Sequence, residues 1–252
     1  MKILHIVIYS SSSSMENVEE GSYENMYSLM SEFYKKKKEN VFTYFIRFRE
    51  DIDGDFLIED DILNIKGKES FIPGILDKTI KSFEIFKDLE YDYLVRSNIS
   101  TIINFDKLIQ YLTIKPILYY GGGYCKNLNW ISISDGIVND KWFNTIYSNG
   151  TSIIFTKNAI TDIINNKNII KYDIIDDVSL SIFVREFKPG YIPDETNHNL
   201  HFCHVPFFLN NNNLCNNIIN NKNYIFYRNK CLNKGNRNID LQQMRIIVKS
   251  IE

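Results

Sequence analysis

The stretch Tyr91 to Asn104, YDYLVRSNISTIIN, decides how the rest of the chain is read. Tyr93, Leu94 and Val95 form an apolar run of strand length. Arg96, Ser97, Asn98 and Ser100 follow as a polar loop, and Phe105 to Leu112 are spaced as a helix behind them. In an open α/β sheet, ligands bind at the carboxyl ends of the strands, where these four polar side chains would meet one. The same residues also suit an ordinary strand-to-helix turn.

Working outward, strand and helix patterns alternate. Ile3 to Tyr9 is a strand-length apolar run, and Ser10 to Ser14 is a polyserine loop. Tyr23, Met26, Tyr27, Met30, Phe33 and Tyr34 recur at helical spacing, predicting a helix up to Lys38. Val41 to Phe48 and Asp61 to Ile65 read as strands separated by an acidic turn region, Glu50 to Asp60. Pro73 and Gly74 open a helix to about Lys87. A strand at Ile117 to Tyr120, a flexible loop at Gly121 to Gly123, and strands at Asn129 to Ser134 and Ser152 to Thr156 follow. Asn158 caps a helix to Asn165, Asp177 to Phe187 is helical, Tyr224 to Arg228 is a closing strand, and Ile239 to Ile251 is the last amphipathic helix. This order predicts an α/β fold with a parallel sheet covered by helices. The asparagine-rich segment Asn210 to Asn223 reads as a solvated loop, and the residues after it are too few for a second core, so residues 1–252 form one domain.

Composition narrows the function classes. A chain of 252 residues with 44% hydrophobic content can build a substantial core, and a net charge of −2 offers no electrostatic case for nucleic acid as a principal partner. The run Lys35 to Lys38 reads as a solvated helix end. No apolar segment reaches the length of about 20 residues that spans a bilayer. Met1 to Tyr9 is too short for a secretory signal, so Cys125, Cys203, Cys215 and Cys231 are expected as reduced thiols and the location as cytoplasmic.

Five blocks stand in order: DILNIKGKESFIPGILDKT (Asp61 to Thr79), YDYLVRSNISTIIN, YSNGTSIIFTKNAI (Tyr147 to Ile160), DDVSLS (Asp176 to Ser181) and IFYRNKCLNKGNRNIDLQQM (Ile225 to Met244). Together they resemble the β-1,3-glycosyltransferases of the fringe and galactosyltransferase type, closest to the short bacterial and large-virus members. The resemblance implies an A-type glycosyltransferase fold, with a Rossmann-like, mixed, mainly parallel sheet flanked by helices. It implies a nucleotide-sugar-binding half at residues 1–120 and an acceptor-binding half at 121–252.

It also implies roles. Asp177 falls on the residue that deprotonates the acceptor hydroxyl in relatives, with Asp176, Asn149 and Gly150 on the acceptor side. An inverting transfer does need one carboxylate as base, and a helix start keeps that carboxylate ionised. The same aspartates also suit the cap and first turn of a helix. The donor side is expected to comprise Tyr9, Ser10, Lys78, Arg96, Ser97, Asn98, Ser100 and Arg228, the cations meeting the diphosphate. Trp130, Trp142 and Tyr147 are the aromatics suited to stacking on sugar rings.

One departure matters. Metal-dependent relatives carry three consecutive aspartates where this chain has Asn98, Ile99 and Ser100, and a divalent ion bridging phosphates usually needs one or two carboxylates. Three explanations stay open: metal-free catalysis, Mn2+ or Mg2+ held by other ligands, or loss of activity. His198, His201, Cys203 and His204 lie within seven residues, and His201 and His204 are the weak metal candidates. The expected function is hexosyl or pentosyl transfer from a nucleoside diphosphate sugar, UDP-sugar first among them, to a hydroxyl of a glycan or glycoconjugate, with inversion. The alternatives are a catalytically silent nucleotide-sugar- or glycan-binding module of the same fold and, more distantly, a nucleotidyltransferase.

Overall fold

A computed structural model describes residues 1–11, 21–36, 39–197, 201–205, 224–230 and 237–252. The strands are β1 (Ile3–Ile8), β2 (Val41–Arg49), β3 (Phe56–Glu59), β4 (Ile62–Lys66), β5 (Tyr93–Asn98), β6 (Thr101–Ile103), β7 (Tyr120–Gly122), β8 (Cys125–Asn127), β9 (Ile146–Ser148), β10 (Ser152–Thr156), β11 (Asp194–Glu195), β12 (Phe202–His204) and β13 (Phe226–Arg228). The helices are α1 (Ser22–Lys35), α2 (Gly74–Phe86), α3 (Phe105–Ile114), α4 (Lys157–Asn165), α5 (Asp176–Phe187) and α6 (Arg237–Ile251). Cys215, Cys231, His198 and the segment Asn210 to Asn223 lie outside the described residues. No helix among the described residues is long and apolar enough to cross a membrane.

Among these residues, eight strands form one sheet in the order β11-β7-β10-β5-β1-β2-β4-β3. Its centre, β5-β1-β2-β4, is parallel, whereas β10 runs antiparallel to both β5 and β7, and β3 antiparallel to β4. The sheet is thus mixed and mainly parallel, as expected. Alternation along each central strand feeds two cores. Ile3 and Val7 of β1 and Val95 of β5 pack with Met26, Met30 and Tyr34 of α1, Leu108 of α3 and Met244 of α6. Leu4 and Ile6 of β1 and Leu94 of β5 pack with Leu76, Ile80 and Phe83 of α2 and with Leu180 and Phe183 of α5. Being covered on both faces explains the continuous apolar runs of β1 and β5. His5 is fully buried in β1, its ring nitrogens 2.9 Å from Ser97 Oγ and 3.3 Å from Thr43 Oγ1, and burial pushes its pKa down to about 3. It is therefore a neutral strut between β2, β1 and β5 at physiological pH.

Several expected elements are corrected. The acidic region Glu50 to Asp60 conceals β3, an exposed edge strand whose apolar residues show no alternation of burial. Asn129 to Ser134 is not a strand: a bridge between Ser132 and Ile137 encloses a short 3-10 turn, Ile133–Asp135. The cap of α4 is Thr156, whose hydroxyl accepts from Ala159 N, rather than Asn158, which lies inside the helix. The Arg96 to Ser100 loop is mostly strand, with Arg96 and Ser97 buried within β5.

Gly121 and Gly122 belong to β7 rather than to a flexible loop, paired with β10 on one side and β11 on the other. A Cβ at Gly121 would stand 2.0 Å from the carbonyl oxygen of Asp194 in β11. Gly121→Ala is expected to lower stability by about 1–3 kcal/mol, read as a lower urea midpoint at unchanged slope.

Candidate functional site

The site forms where the parallel strands end. Ile8 and Asn98 are register partners at the carboxyl ends of β1 and β5. Because β10 runs back antiparallel, pairing Ile153 with Arg96, the turn Asn149 to Thr151 that precedes it lies at the same end. Asn149 shapes this turn, its Oδ1 accepting from Thr151 N at 3.2 Å and its carbonyl from Ser152 N at 3.1 Å.

Arg96 sends its guanidinium from β5 into a short ion pair with Asp176, the first residue of α5, and donates through Nη1 to the carbonyl of Gly150. Both side chains are buried. Gly150 also donates its N–H to Asp177 Oδ2 at 2.9 Å, and the N–H of Val178 reaches Oδ1 at 2.9 Å. A Cβ at Gly150 would stand 2.7 Å from Arg96 Nη1, so glycine lets three chain segments meet. The loosely matched Asn149-Gly150 block is thus the clamp between the arginine and both aspartates.

Asp177 retains 9% exposure and its pKa is pushed up to about 6. Burial is the largest cause and the Asp176 carboxylate the next, opposed by the N–H groups of Gly150 and Val178 and by Arg96. A carboxylate in that range can take a proton from a hydroxyl near neutral pH and release it again. Burial, and then the Asp177 charge, raise the pKa of Tyr147 of β9, and Tyr147 and Trp130 share an apolar cluster with Val178, the residue after Asp177. The two aromatics thus pack at the start of α5. Trp142 instead carries the ammonium groups of Lys141 and Lys171 over its ring, at 4.5 and 6.0 Å.

Lys78 is fully buried on α2 and donates to Tyr9 O at 2.7 Å, Ser10 Oγ at 3.2 Å and Glu69 Oε2 at 2.7 Å. It thus holds the backbone that leaves β1, and Glu69 balances its charge against burial. The Tyr9 ring is buried, stacked 5.5 Å from Tyr27. Ser97 faces His5. Arg228 of β13 donates through Nη1 to Asn98 Oδ1, Ser100 Oγ at 2.8 Å and Thr101 Oγ1 at 3.4 Å. His201 packs on Tyr111 and His204 on Tyr124 and Phe202, so the two imidazoles have different neighbours. No group of three His, Cys, Asp or Glu side chains among the described residues is gathered as for a metal ion.

Glu69 and Thr101 join this site without having been singled out in the sequence. Glu69 lies inside the first matched block, and Thr101 three residues beyond Asn98. The partner of Glu69 comes from α2, and Thr101 donates to Asn98 Oδ1 at 2.9 Å as well as accepting from Arg228 of β13.

No protein-family model matches the chain, and no curated protein matches it. Among solved structures, it is similar to a glycosyltransferase involved in the glycosylation of the major capsid of PBCV-1, at 12% identity and a TM-score of 0.49, covering 97% of this chain and 100% of that one. It is also similar to the galactosyltransferase LgtC in complex with donor and acceptor sugar analogs, at 11% identity and a TM-score of 0.34, covering 73% of this chain and 70% of that one. These likenesses are too distant to carry an argument about activity, which is built below on the site.

The raised pKa of Asp177 has a stability consequence. An unfolded aspartate loses its proton near about pH 4, whereas the folded chain keeps it to about 6. Between those values the folded state binds more protons, so stability falls as pH rises through the window. Asp177→Asn is expected to flatten that decline in denaturant titrations run from pH 4 to 7.

Proposed function

We propose that this chain transfers a hexose or pentose from a nucleoside diphosphate sugar to a hydroxyl of a glycan or glycoconjugate, with inversion at the anomeric carbon. The observation that carries the reading is Asp177: a buried carboxylate at a helix start, its pKa raised, at the carboxyl end of the sheet, where Tyr147 and Trp130 pack against the next residue's cluster. The five sequence blocks agree with it.

In the proposed reaction, the acceptor oxygen attacks the anomeric carbon and Asp177 takes its proton. The bond from that carbon to the diphosphate oxygen breaks, and its electron pair leaves with the diphosphate. One displacement from the opposite face inverts the centre. Residues 1–120 supply most of the donor site, with Arg228 joining it from the second half, and 121–252 supply the acceptor site. Arg96 acts through Asp176, keeping the start of α5 in place, and so orients the base rather than meeting the donor directly. Lys78 fixes the Tyr9–Ser10 backbone along which the nucleotide lies. The donor base follows the family resemblance, with uridine the first to try.

Asp177→Asn is expected to lower kcat by about 10²–10⁴-fold with donor affinity nearly unchanged, as measured by product formation and donor titration. The wild-type rate is expected to decline as pH falls through about 6, where Asp177 gains its proton. An unchanged kcat in the variant would remove Asp177 from the mechanism. Donor binding without product from any acceptor would instead favour a silent binding module.

A further inference from the structure

The polar turn after β5 suggests how such a chain deals with the negative charge of a diphosphate. Asn98, Ser100 and Thr101 supply three neutral oxygens, and all three accept from one atom, Nη1 of Arg228. A divalent ion held by those oxygens would stand against a guanidinium, and no carboxylate in the turn would offset the repulsion. The donor set therefore does not fit Mn2+ or Mg2+. It fits a fixed organic cation.

We infer that Arg228, seated on Asn98, Ser100 and Thr101, is the group that binds the diphosphate of the donor and of the departing nucleotide. The identity of the anion rests on the reading given under Proposed function. Several features support this assignment. Among the described residues, the hydrogen bonds from the Arg228 side chain all fall on Nη1, which leaves the Nη2 side to fork a phosphate. The carboxylate whose charge favours Arg228, that of Asp240, is already paired with Arg237 at 2.7 Å. Burial first, and then the positive charge of Arg237 and Arg96, press the pKa of Arg228 down to about 10. It stays protonated at neutral pH, and an arriving anion relieves the repulsion. β13 is the middle strand of a separate three-stranded sheet, β12-β13-β6, among the described residues, and β6 follows the turn directly, so pairing of Arg228 with Thr101 sets the cation in register with the oxygens that hold it.

The test is calorimetric titration with inorganic pyrophosphate in the presence of EDTA. Wild-type protein is expected to bind, and Arg228→Gln to bind about tenfold to a hundredfold more weakly. Arg228→Lys should fall between them, since an ammonium keeps the charge and loses the fork. Should Arg228→Gln fail to fold, Asn98→Asp serves instead: its carboxylate would neutralise Nη1 and should weaken pyrophosphate binding in the same way. Equal affinity in folded Arg228→Gln or in Asn98→Asp would overturn the inference, as would wild-type binding that appears only when Mn2+ replaces EDTA. Pyrophosphate carries no sugar, so binding through Arg228 in a protein that transfers nothing would overturn the transfer reading and leave this one standing.

Discussion

The buried pair between Arg96 and Asp176 is the constraint on which the site depends. Removing one member of such a pair strands the other charge in a low dielectric, at a cost of about 3–5 kcal/mol. The pair joins the centre of the sheet to the start of α5 across 80 residues of sequence, and the Gly150 carbonyl shares the guanidinium. Two apolar cores can form without it, since they rest on the alternating faces of β1, β2 and β5. The direction of Asp177 cannot. Its oxygens are held by Gly150 and Val178, and both lie where the Arg96 contact draws the turn and the helix together.

The other buried polar groups divide the work in a similar way. Lys78 and Glu69 hold the chain as it leaves β1. His5, neutral because it is buried, braces Ser97 one residue before Asn98. Arg228 then secures Asn98 and Ser100 from a strand far along the chain. A buried polar network of this kind favours one geometry over its neighbours. The result is an edge with the Asp177 carboxylate on one side and the Arg228 guanidinium on the other.

Much of this was legible in the sequence where local physics governs. The apolar runs of β1, β2 and β5 and the helical spacing of α1 and α6 announce themselves, because burial on one or both faces selects residues at a fixed period. Asp176 and Asp177 were legible as a helix start. What escaped is long-range or atypical. β3 lies at the open edge, exposed on every residue and set among acidic side chains, so it lacks the pattern of a strand. β7 ends in glycines that suit close packing against β11, a need set by a neighbour about 70 residues away. Arg96 and Lys78 were expected to face a ligand, and their buried pairings with Asp176 and Glu69 had no local signal. No window on the sequence reveals that Arg228 meets Asn98, since 130 residues separate them.

The account stands or falls on whether this edge receives a nucleotide sugar. The most direct measurement is the melting temperature of the purified chain against a panel of nucleoside diphosphate sugars, each with a chelator and with Mn2+. A ligand that binds only the folded state raises the transition by mass action. One donor that raises it equally well in the chelator is the predicted result. A melting temperature that no donor in the panel shifts under either condition would contradict the account.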